Sequence, residues 1–297
     1  MKIAVMGAGA VGCYYGGLLA RAGNEVRLIG RARHVEAVNR HGLLLETDTF
    51  REHIPLSATT SADGVQDAGL VLCCVKSADT ARAASAMEAY LAADAIVVSL
   101  QNGVDNPGVL RARLAREIVP AVVYVAARMA GDGHAQHHGG GKVVLGDTPN
   151  SGQIAALFAE AGIPVEISGN IEGEQWTKLI VNCAYNALSA LTALPYARLA
   201  QRDGVARVLR DVVAEGLAVA DKAGVAPTGD VWQSVERIPQ IMPGQISSTA
   251  QDLQRGRATE IDYLNGCIAR RGGELGVPTP VNHLLCTLVK IMESPSS

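Results

Sequence analysis

Near its N-terminus the chain reads Ile3-Ala4-Val5-Met6-Gly7-Ala8-Gly9-Ala10-Val11-Gly12, an apolar strand candidate that runs directly into the pattern G-x-G-x-x-G. In that context Gly7 permits a sharp turn, Gly9 lets the backbone approach a pyrophosphate, and Gly12 lets a helix pack closely on the strand. The N-terminus of the following helix adds unpaired N–H groups and a partial positive charge. We therefore expect residues 7–12 to bind a dinucleotide, and a tight turn that binds nothing is the alternative.

The second strand candidate, Glu25–Ile29, is followed by Gly30-Arg31-Ala32-Arg33 and lacks an acidic residue at its end. Dinucleotide-binding domains specific for NAD have an Asp or Glu there, which holds the ribose 2′-hydroxyl. A guanidinium pairs instead with a 2′-phosphate through charge-assisted, bidentate hydrogen bonds. The sequence therefore predicts NADPH as the cofactor, bound by Arg31 with Arg33 as a second candidate, and a solvated Arg-rich turn is the alternative.

The first half of the chain alternates short apolar runs with helical patterns, which is typical of a parallel, doubly wound sheet. The strand candidates are Ile3–Met6, Glu25–Ile29, Leu70–Val75, Ala95–Leu100 and Ile118–Val123. Glycine-rich turns within Val122–Val144 predict antiparallel strands that close the sheet at its edge.

After about residue 169 the strand patterns stop and helical patterns continue almost to the end of the sequence. The helix candidates are Glu172–Leu191, Val205–Ala223, Ser247–Arg255, Thr259–Arg271 and Asn282–Met292. We therefore predict an α/β protein with a Rossmann-type, doubly wound NADP-binding domain in residues 1–169, followed by an all-helical substrate-binding and catalytic domain in residues 170–297.

Composition excludes several classes of partner. The chain has 26 basic and 29 acidic residues, a formal charge of -3, and no run rich in Lys or Arg, so nucleic acid and anionic membrane surfaces are disfavoured. No uncharged apolar stretch is typical of a membrane span. The six cysteines form no C-x-x-C pair, which indicates reduced thiols and a cytoplasmic protein.

The segment Thr177–Ala197 contains a single charged residue, Lys178. Helical spacing aligns Lys178, Asn182 and Asn186 on one polar stripe beside a buried apolar face. A lysine in a polar cleft is desolvated, and its pKa falls toward the range useful for proton transfer unless a nearby carboxylate restores the charge. The pattern indicates a functional site, and an ordinary surface pair between Lys178 and Glu174 is the alternative.

A carboxylate partner for Lys178 could come from either of two later segments, Ser247–Asp252 and Thr259–Gly266. Helix capping by Ser247, Ser248 or Thr259 is the alternative explanation of both segments.

Other residues with reactive side chains are assigned no role in function. The three histidines of His134–His138 precede glycines 139–141 and are interpreted as a polar hairpin, because no Cys or paired acid lies near enough in sequence to complete a metal site. Cys13, at the start of the first helix, could have a lowered thiol pKa, although a bystander role is favoured.

Taken together, these segments resemble the ketopantoate reductase (2-dehydropantoate 2-reductase) family over nearly the whole chain. The ordered elements are the glycine turn with Arg31, Val75-Lys76-Ser77, Gln101-Asn102-Gly103, Ala126-Ala127-Arg128, Trp176-Thr177-Lys178-Leu179 with Asn182 and Asn186, Ser247-Ser248 with Asp252, and Thr259–Gly266. Each element alone is weak, and the ordered set is specific to the family.

The resemblance implies NADPH-dependent reduction of 2-dehydropantoate to (R)-pantoate, a step of pantothenate biosynthesis. It implies that Lys178 is the general acid and that Glu260 is a second catalytic residue. The implied cofactor contacts are the glycine turn, Arg31, Lys76, Asn102, Ala127 and Glu260. The implied contacts to the small 2-oxo acid substrate are Asn102, Lys178, Asn182, Asn186 and Ser248.

One departure from the family pattern leaves the substrate open. Family members often have an Asn-Gly step after the proline that closes the lysine helix, and the Asn contacts the substrate, whereas here Pro195 is followed by Tyr196-Ala197. The alternatives are a D-2-hydroxy acid dehydrogenase for another branched 2-oxo acid and, in a different class, a non-catalytic NADP-binding redox sensor. The sequence is compatible with a homodimer but does not determine the oligomeric state.

Overall fold

The computed structural model describes residues 1–293, and the chain divides into two compact units, residues 1–171 and residues 172 onward. The last four residues of the predicted helical domain, 294–297, lie outside the described residues. Within residues 1–293, no helix is both long enough and apolar enough to cross a membrane.

The first unit is built on a mixed sheet that has ten strands among the described residues. They are β1 (Lys2–Met6), β2 (Glu25–Ile29), β3 (Leu43–Glu46), β4 (Arg51–Ile54), β5 (Ser57–Thr59), β6 (Leu70–Cys73), β7 (Ile96–Ser99), β8 (Ile118–Gly131), β9 (His134–Gly146) and β10 (Val165–Ser168). Their order is β4-β3-β9-β8-β7-β6-β1-β2-β5, with β10 paired to β9. From β5 to the start of β8 all neighbours are parallel.

Helices cover both faces of the parallel region, as a doubly wound fold requires. They are α1 (Ala10–Arg21), α2 (Ala32–His41), α3 (Thr80–Met87), α4 (Asn106–Leu114) and α5 (Ser151–Glu160). Alternate residues of β1 enter two separate cores, because successive side chains of a strand point to opposite faces. Val5 packs in the core that contains residues of α1 and α5, and Ala4 packs in the core that contains residues of α3 and α4. The predicted fold class is therefore confirmed.

The antiparallel pair β8–β9 exists, but its predicted position at the edge of the sheet is wrong. On the far side of β9, residues Leu44–Glu46 of β3 pair with His134–Gln136, and β4 extends the sheet further. Strands β3 and β4 have only four residues each, so their sequence pattern is too short to identify them.

Within residues 172–293 the second unit consists of helices joined by loops and has no strand. Its helices are α6 (Ile171–Thr192), α7 (Tyr196–Ala200), α8 (Val205–Lys222), α9 (Val231–Ile241), α10 (Ser248–Gln254), α11 (Asn265–Leu275) and α12 (Pro280–Glu293). Trp176, Leu179 and Ile180 of α6 are almost fully buried, and Gly216 of α8 lets that helix approach Ile180 closely.

One predicted helix of this unit, Thr259–Arg271, begins too early. Residues Ile261–Tyr263 form a single 3-10 turn, and the α-helix starts only at Asn265. Glu260 therefore lies in a loop segment rather than in the first turn of a helix.

Candidate active site

The glycine turn between β1 and α1 has the geometry that its sequence predicts. Gly7 has a positive φ of 112°, and a Cβ there would lie 2.6 Å from the Val75 nitrogen. A Cβ at Gly12 would lie 2.2 Å from the Gly7 oxygen, whereas a Cβ at Gly9 would meet no protein atom within 4 Å. Gly7 and Gly12 thus serve close packing, and Gly9 leaves its backbone accessible at the N-cap of α1. This arrangement suits a bound pyrophosphate.

Arg31 lies next to this turn because β2 ends beside it. The Ile29 carbonyl accepts hydrogen bonds from Gly7 and Ala8 N–H, and a Cβ at Gly30 would lie 2.7 Å from the Ala8 Cβ. Arg31 follows at once as the N-cap of α2, with an exposed side chain. Arg33 is exposed too, and its guanidinium pairs with Asp132 at 3.2 Å. The structure therefore brings the glycine turn and Arg31 together.

A buried polar network joins the carboxyl ends of β6 and β7. The Gln101 amide donates to the Val75 carbonyl at 2.9 Å and to the Thr80 hydroxyl at 2.7 Å. The Asn106 amide donates to the Asn102 carbonyl at 2.6 Å, linking the loop after β7 to α4.

The same network reaches the loop after β6, because Ser77 Oγ donates to the Asn102 carbonyl at 3.1 Å. Lys76 and Asn102 are thereby held on adjacent loops at the edge where ligands bind in open parallel sheets. Sequence reasoning assigned no role to Thr80 and Asn106, because a buried network between separate loops has no local pattern.

Ala127 belongs to β8 and lies beyond the part of that strand that pairs with β7. The register pairs Ser99 at the end of β7 with Pro120, so Ala127 is seven residues further along, opposite His137. Its predicted contact with the cofactor stays a prediction.

Lys178 is in the second unit, one helical turn before Asn182 on α6. Part of the Lys178 side chain remains accessible, whereas Asn186, one turn after Asn182, is buried. Burial lowers the pKa of the Lys178 amine to about 8, and the Glu260 carboxylate opposes this by raising it. The structure therefore couples the two predicted catalytic residues, although 82 positions separate them in the sequence.

The Glu260 loop is attached to α6 through Asn265. The Asn265 amide donates to the Cys183 carbonyl of α6 at 3.1 Å and to Asn282 of α12 at 2.9 Å. Thr259 Oγ1 also accepts a hydrogen bond from Ile261 N–H, which shapes the turn just after Glu260. These contacts hold the loop beside the lysine helix.

Ser248 is held near the polar stripe of α6 by its neighbour Ser247. The Ser247 hydroxyl donates to the Asn186 carbonyl at 3.0 Å and accepts from Ala250 N–H as the N-cap of α10. Ser189 Oγ accepts from Ser247 N–H at 3.1 Å. Helix capping by Ser247 is therefore confirmed, and the same residue attaches Ser248 to the lysine helix, while the substrate contact of Ser248 stays a prediction.

A lowered pKa for the Cys13 thiol is wrong, because burial raises it to about 12. Within residues 1–293, no group of three or more His, Cys, Asp or Glu side chains could hold a metal ion.

A glycine turn suited to a dinucleotide and a partly buried lysine of lowered pKa, present in one chain, define a nicotinamide-dinucleotide-dependent oxidoreductase. Residues 3–150 match the family described as Ketopantoate reductase PanE/ApbA, and residues 170–293 match its C-terminal domain. The chain belongs to the ketopantoate reductase family.

Relatives and solved structures agree with this assignment. The 2-dehydropantoate 2-reductase of Pyrococcus horikoshii is 33% identical, covering 99% of this chain and 98% of the relative. The crystal structure of a PanE/ApbA family ketopantoate reductase from Ralstonia eutropha is 56% identical, with a TM-score of 0.96 and coverage of 99% and 98%. A structure of D-mandelate dehydrogenase with NADH and anilino(oxo)acetate is 28% identical, with a TM-score of 0.91 and coverage of 99% and 98%.

Proposed function

We propose that this protein catalyses the NADPH-dependent reduction of 2-dehydropantoate to (R)-pantoate. The observation that carries the proposal is Lys178, whose partly buried amine has a pKa of about 8 and can therefore both bind and release a proton near neutral pH. Family membership and the names of the relatives support the choice of substrate.

The first unit offers the groups that would hold the cofactor. The free N–H groups at the start of α1 suit the pyrophosphate, and the Arg31 guanidinium suits a 2′-phosphate. Lys76 and Asn102, on adjacent loops, are further candidates for polar contacts. When bound, NADPH supplies the hydride that reduces the 2-oxo carbonyl.

Lys178 would act on the carbonyl oxygen. Reduction of the carbon leaves negative charge on that oxygen, and a positioned ammonium stabilises this charge and then donates its proton. Glu260 raises the pKa of Lys178 against the effect of burial, so it keeps more of the amine in the protonated, acid-competent form.

The polar stripe of α6 would bind the substrate. Asn182 and Asn186 offer amide donors, and Ser248 is attached to the same helix through Ser247. Because these donors are neutral, they can form hydrogen bonds with a 2-oxo acid while Lys178 remains the group that interacts with its negative charge.

The test is NADPH consumption by the purified protein against a panel of 2-oxo acids that includes 2-dehydropantoate. We expect 2-dehydropantoate to give the highest kcat/KM. Absence of reduction across the panel would contradict the proposal and favour the non-catalytic sensor.

For the cofactor, Arg31→Ala should weaken NADPH binding by roughly tenfold or more and NADH binding much less. Equal loss for both cofactors would mean that another group binds the 2′-phosphate.

A second candidate is a D-2-hydroxy acid dehydrogenase for a substrate with an aromatic or other apolar side chain. Tyr196 is 8% exposed and makes an edge contact with Tyr185, with ring centroids 5.2 Å apart. The likeness to D-mandelate dehydrogenase favours the same class. A phenyl-substituted 2-oxo acid on the panel discriminates the two functions, since a kcat/KM above that of 2-dehydropantoate would select the second.

A further inference from the structure

The imidazole of His34 contacts α1 just after the glycine turn, and His34 lies three residues after Arg31 in sequence, although no sequence pattern singles it out. His34 is 7% exposed and belongs to the first turn of α2. Its Nε2 lies 3.4 Å from Cys13 Sγ of α1, and its ring lies beside Gly30, where a Cβ would be 3.6 Å from His34 Cδ2. The ring therefore lies against α1, which follows the glycine turn, and beside Gly30, which precedes Arg31.

The other ring nitrogen fixes the protonation state. Gly133 N–H, in the β8–β9 turn, donates to His34 Nδ1 at 3.0 Å, so Nδ1 carries no proton. A neutral ring then has its proton on Nε2, which donates to Cys13 Sγ. A protonated imidazole has two donors and would face Gly133 N–H with another N–H group.

The β8–β9 turn makes further contacts with α2. Asp132 pairs with Arg33 at 3.2 Å, and a Cβ at Gly133 would lie 3.0 Å from the Ala37 Cβ. The Gly133 carbonyl in turn accepts a hydrogen bond from Leu44 N–H of β3 at 2.8 Å. The turn is thus a fixed support for the start of α2, and His34 is its buried connection.

Arg31 depends on this support for its position. It is the N-cap of α2, one helical turn before His34, and its carbonyl accepts the hydrogen bond of Val35 N–H at 3.0 Å. Among residues 1–293 no hydrogen bond or ion pair holds the exposed Arg31 side chain, so its placement follows from the backbone of this turn.

Building on the proposed function, we infer that His34 is a positioning residue for the 2′-phosphate end of NADPH. Its neutral ring fixes the first turn of α2, and therefore Arg31, against α1 and the β8–β9 turn. Protonation of Nδ1 removes the acceptor for Gly133 and loosens that turn, so NADPH affinity falls in acid by more than NADH affinity does.

The groups that face His34 agree with a neutral ring. Burial lowers the pKa of His34, and the Asp132 carboxylate opposes this by raising it. Burial keeps the Cys13 thiol uncharged, with a pKa of about 12. Arg31 and Arg33 are the charged residues that precede His34 in the chain, and both side chains are exposed. Because the folded state disfavours protonation, the support is intact above the ordinary histidine pKa and is lost only as pH falls through the lowered pKa of His34 in the folded protein.

The experiment compares two amide variants that each reproduce one ring nitrogen. Asn places its oxygen near the Nδ1 position and can still accept from Gly133, whereas Gln reaches the Nε2 position and leaves Gly133 N–H unpaired. Dissociation constants for NADPH and NADH are measured by fluorescence titration of the full chain. We expect His34→Gln to weaken NADPH by roughly tenfold, as expected for an unpaired buried N–H, with a much smaller effect on NADH. His34→Asn should bind both cofactors nearly as the unmodified protein does.

The pH dependence provides a second readout. The 2′-phosphate itself gains a proton at about pH 6, so every variant loses some NADPH affinity in acid. We expect the unmodified protein to lose more than His34→Asn, which has no titrating ring. Coincident pH profiles, equal effects of the Asn and Gln variants, or equal losses for NADPH and NADH would each overturn the inference. Arg31→Ala separates the two proposals. If Arg31→Ala weakens NADPH binding and His34→Gln does not, only the role of His34 is refuted, whereas unchanged NADPH binding in Arg31→Ala would refute the phosphate-binding role of Arg31 as well.

Discussion

Replacing Glu260 with Gln is expected to shift the pH–rate profile of the reduction, so that the fall in rate at alkaline pH begins at a lower pH. The Lys178 pKa is about 8 instead of 10.5, which corresponds to about 3 kcal/mol against the charged amine. With that pKa, about nine-tenths of the amine is protonated at pH 7 and about one-tenth at pH 9, so reduction slows above pH 8. Glu260 is the group that raises this pKa, and its neutral replacement lowers it further.

The size of the change follows from the charge that is removed. Loss of a neighbouring opposite charge commonly moves a pKa by about one unit or more. A move of about one unit lowers the rate at pH 8 about fivefold and leaves the rate at pH 6 almost unchanged. The assay is kcat/KM for the 2-oxo acid at saturating NADPH, because that quantity reports the pKa values of the enzyme form that captures the substrate.

A matched control is Glu174→Gln, one turn before Lys178 on the same helix. It removes an equal charge, and the profile should stay in place. Two results would refute the coupling between Glu260 and Lys178. One is a pH–rate profile of the unmodified protein that is flat across pH 8. The other is a fall in rate at alkaline pH that shifts for Glu174→Gln and not for Glu260→Gln.

Three further variants test separate parts of the structure. Lys178→Ala should lower kcat by roughly a hundredfold or more while the dissociation constant for NADPH stays nearly unchanged; near-normal turnover would exclude the general-acid role. Gly12→Ala should destabilise the protein by about 1–3 kcal/mol, seen as a lower Tm, because its Cβ would lie 2.2 Å from the Gly7 oxygen. Ser189→Ala should cost about 1–3 kcal/mol in urea unfolding by leaving Ser247 N–H buried and unpaired, and an unchanged midpoint would contradict that hydrogen bond.

Several features were predictable because their signals are local in sequence. The glycine turn requires a fixed spacing within six residues, and the single lysine of α6 is conspicuous in an otherwise uncharged helix. The doubly wound sheet followed from alternating strand and helix patterns. Strands β3 and β4 were missed because four residues carry too little periodicity, and the early start predicted for α11 reflects a capping pattern that in the fold shapes a 3-10 turn.

The sequence by itself determined which chemical groups this protein has and how neighbouring groups are spaced, including the glycine turn, Arg31 and the polar stripe that begins at Lys178. Only the tertiary structure decided which distant groups act together. It couples Glu260 to Lys178 and sets a buried neutral His34 between α1 and the β8–β9 turn. The physical reason is that pKa values depend on burial and on nearby charges, and both arise when segments far apart in the chain pack against each other.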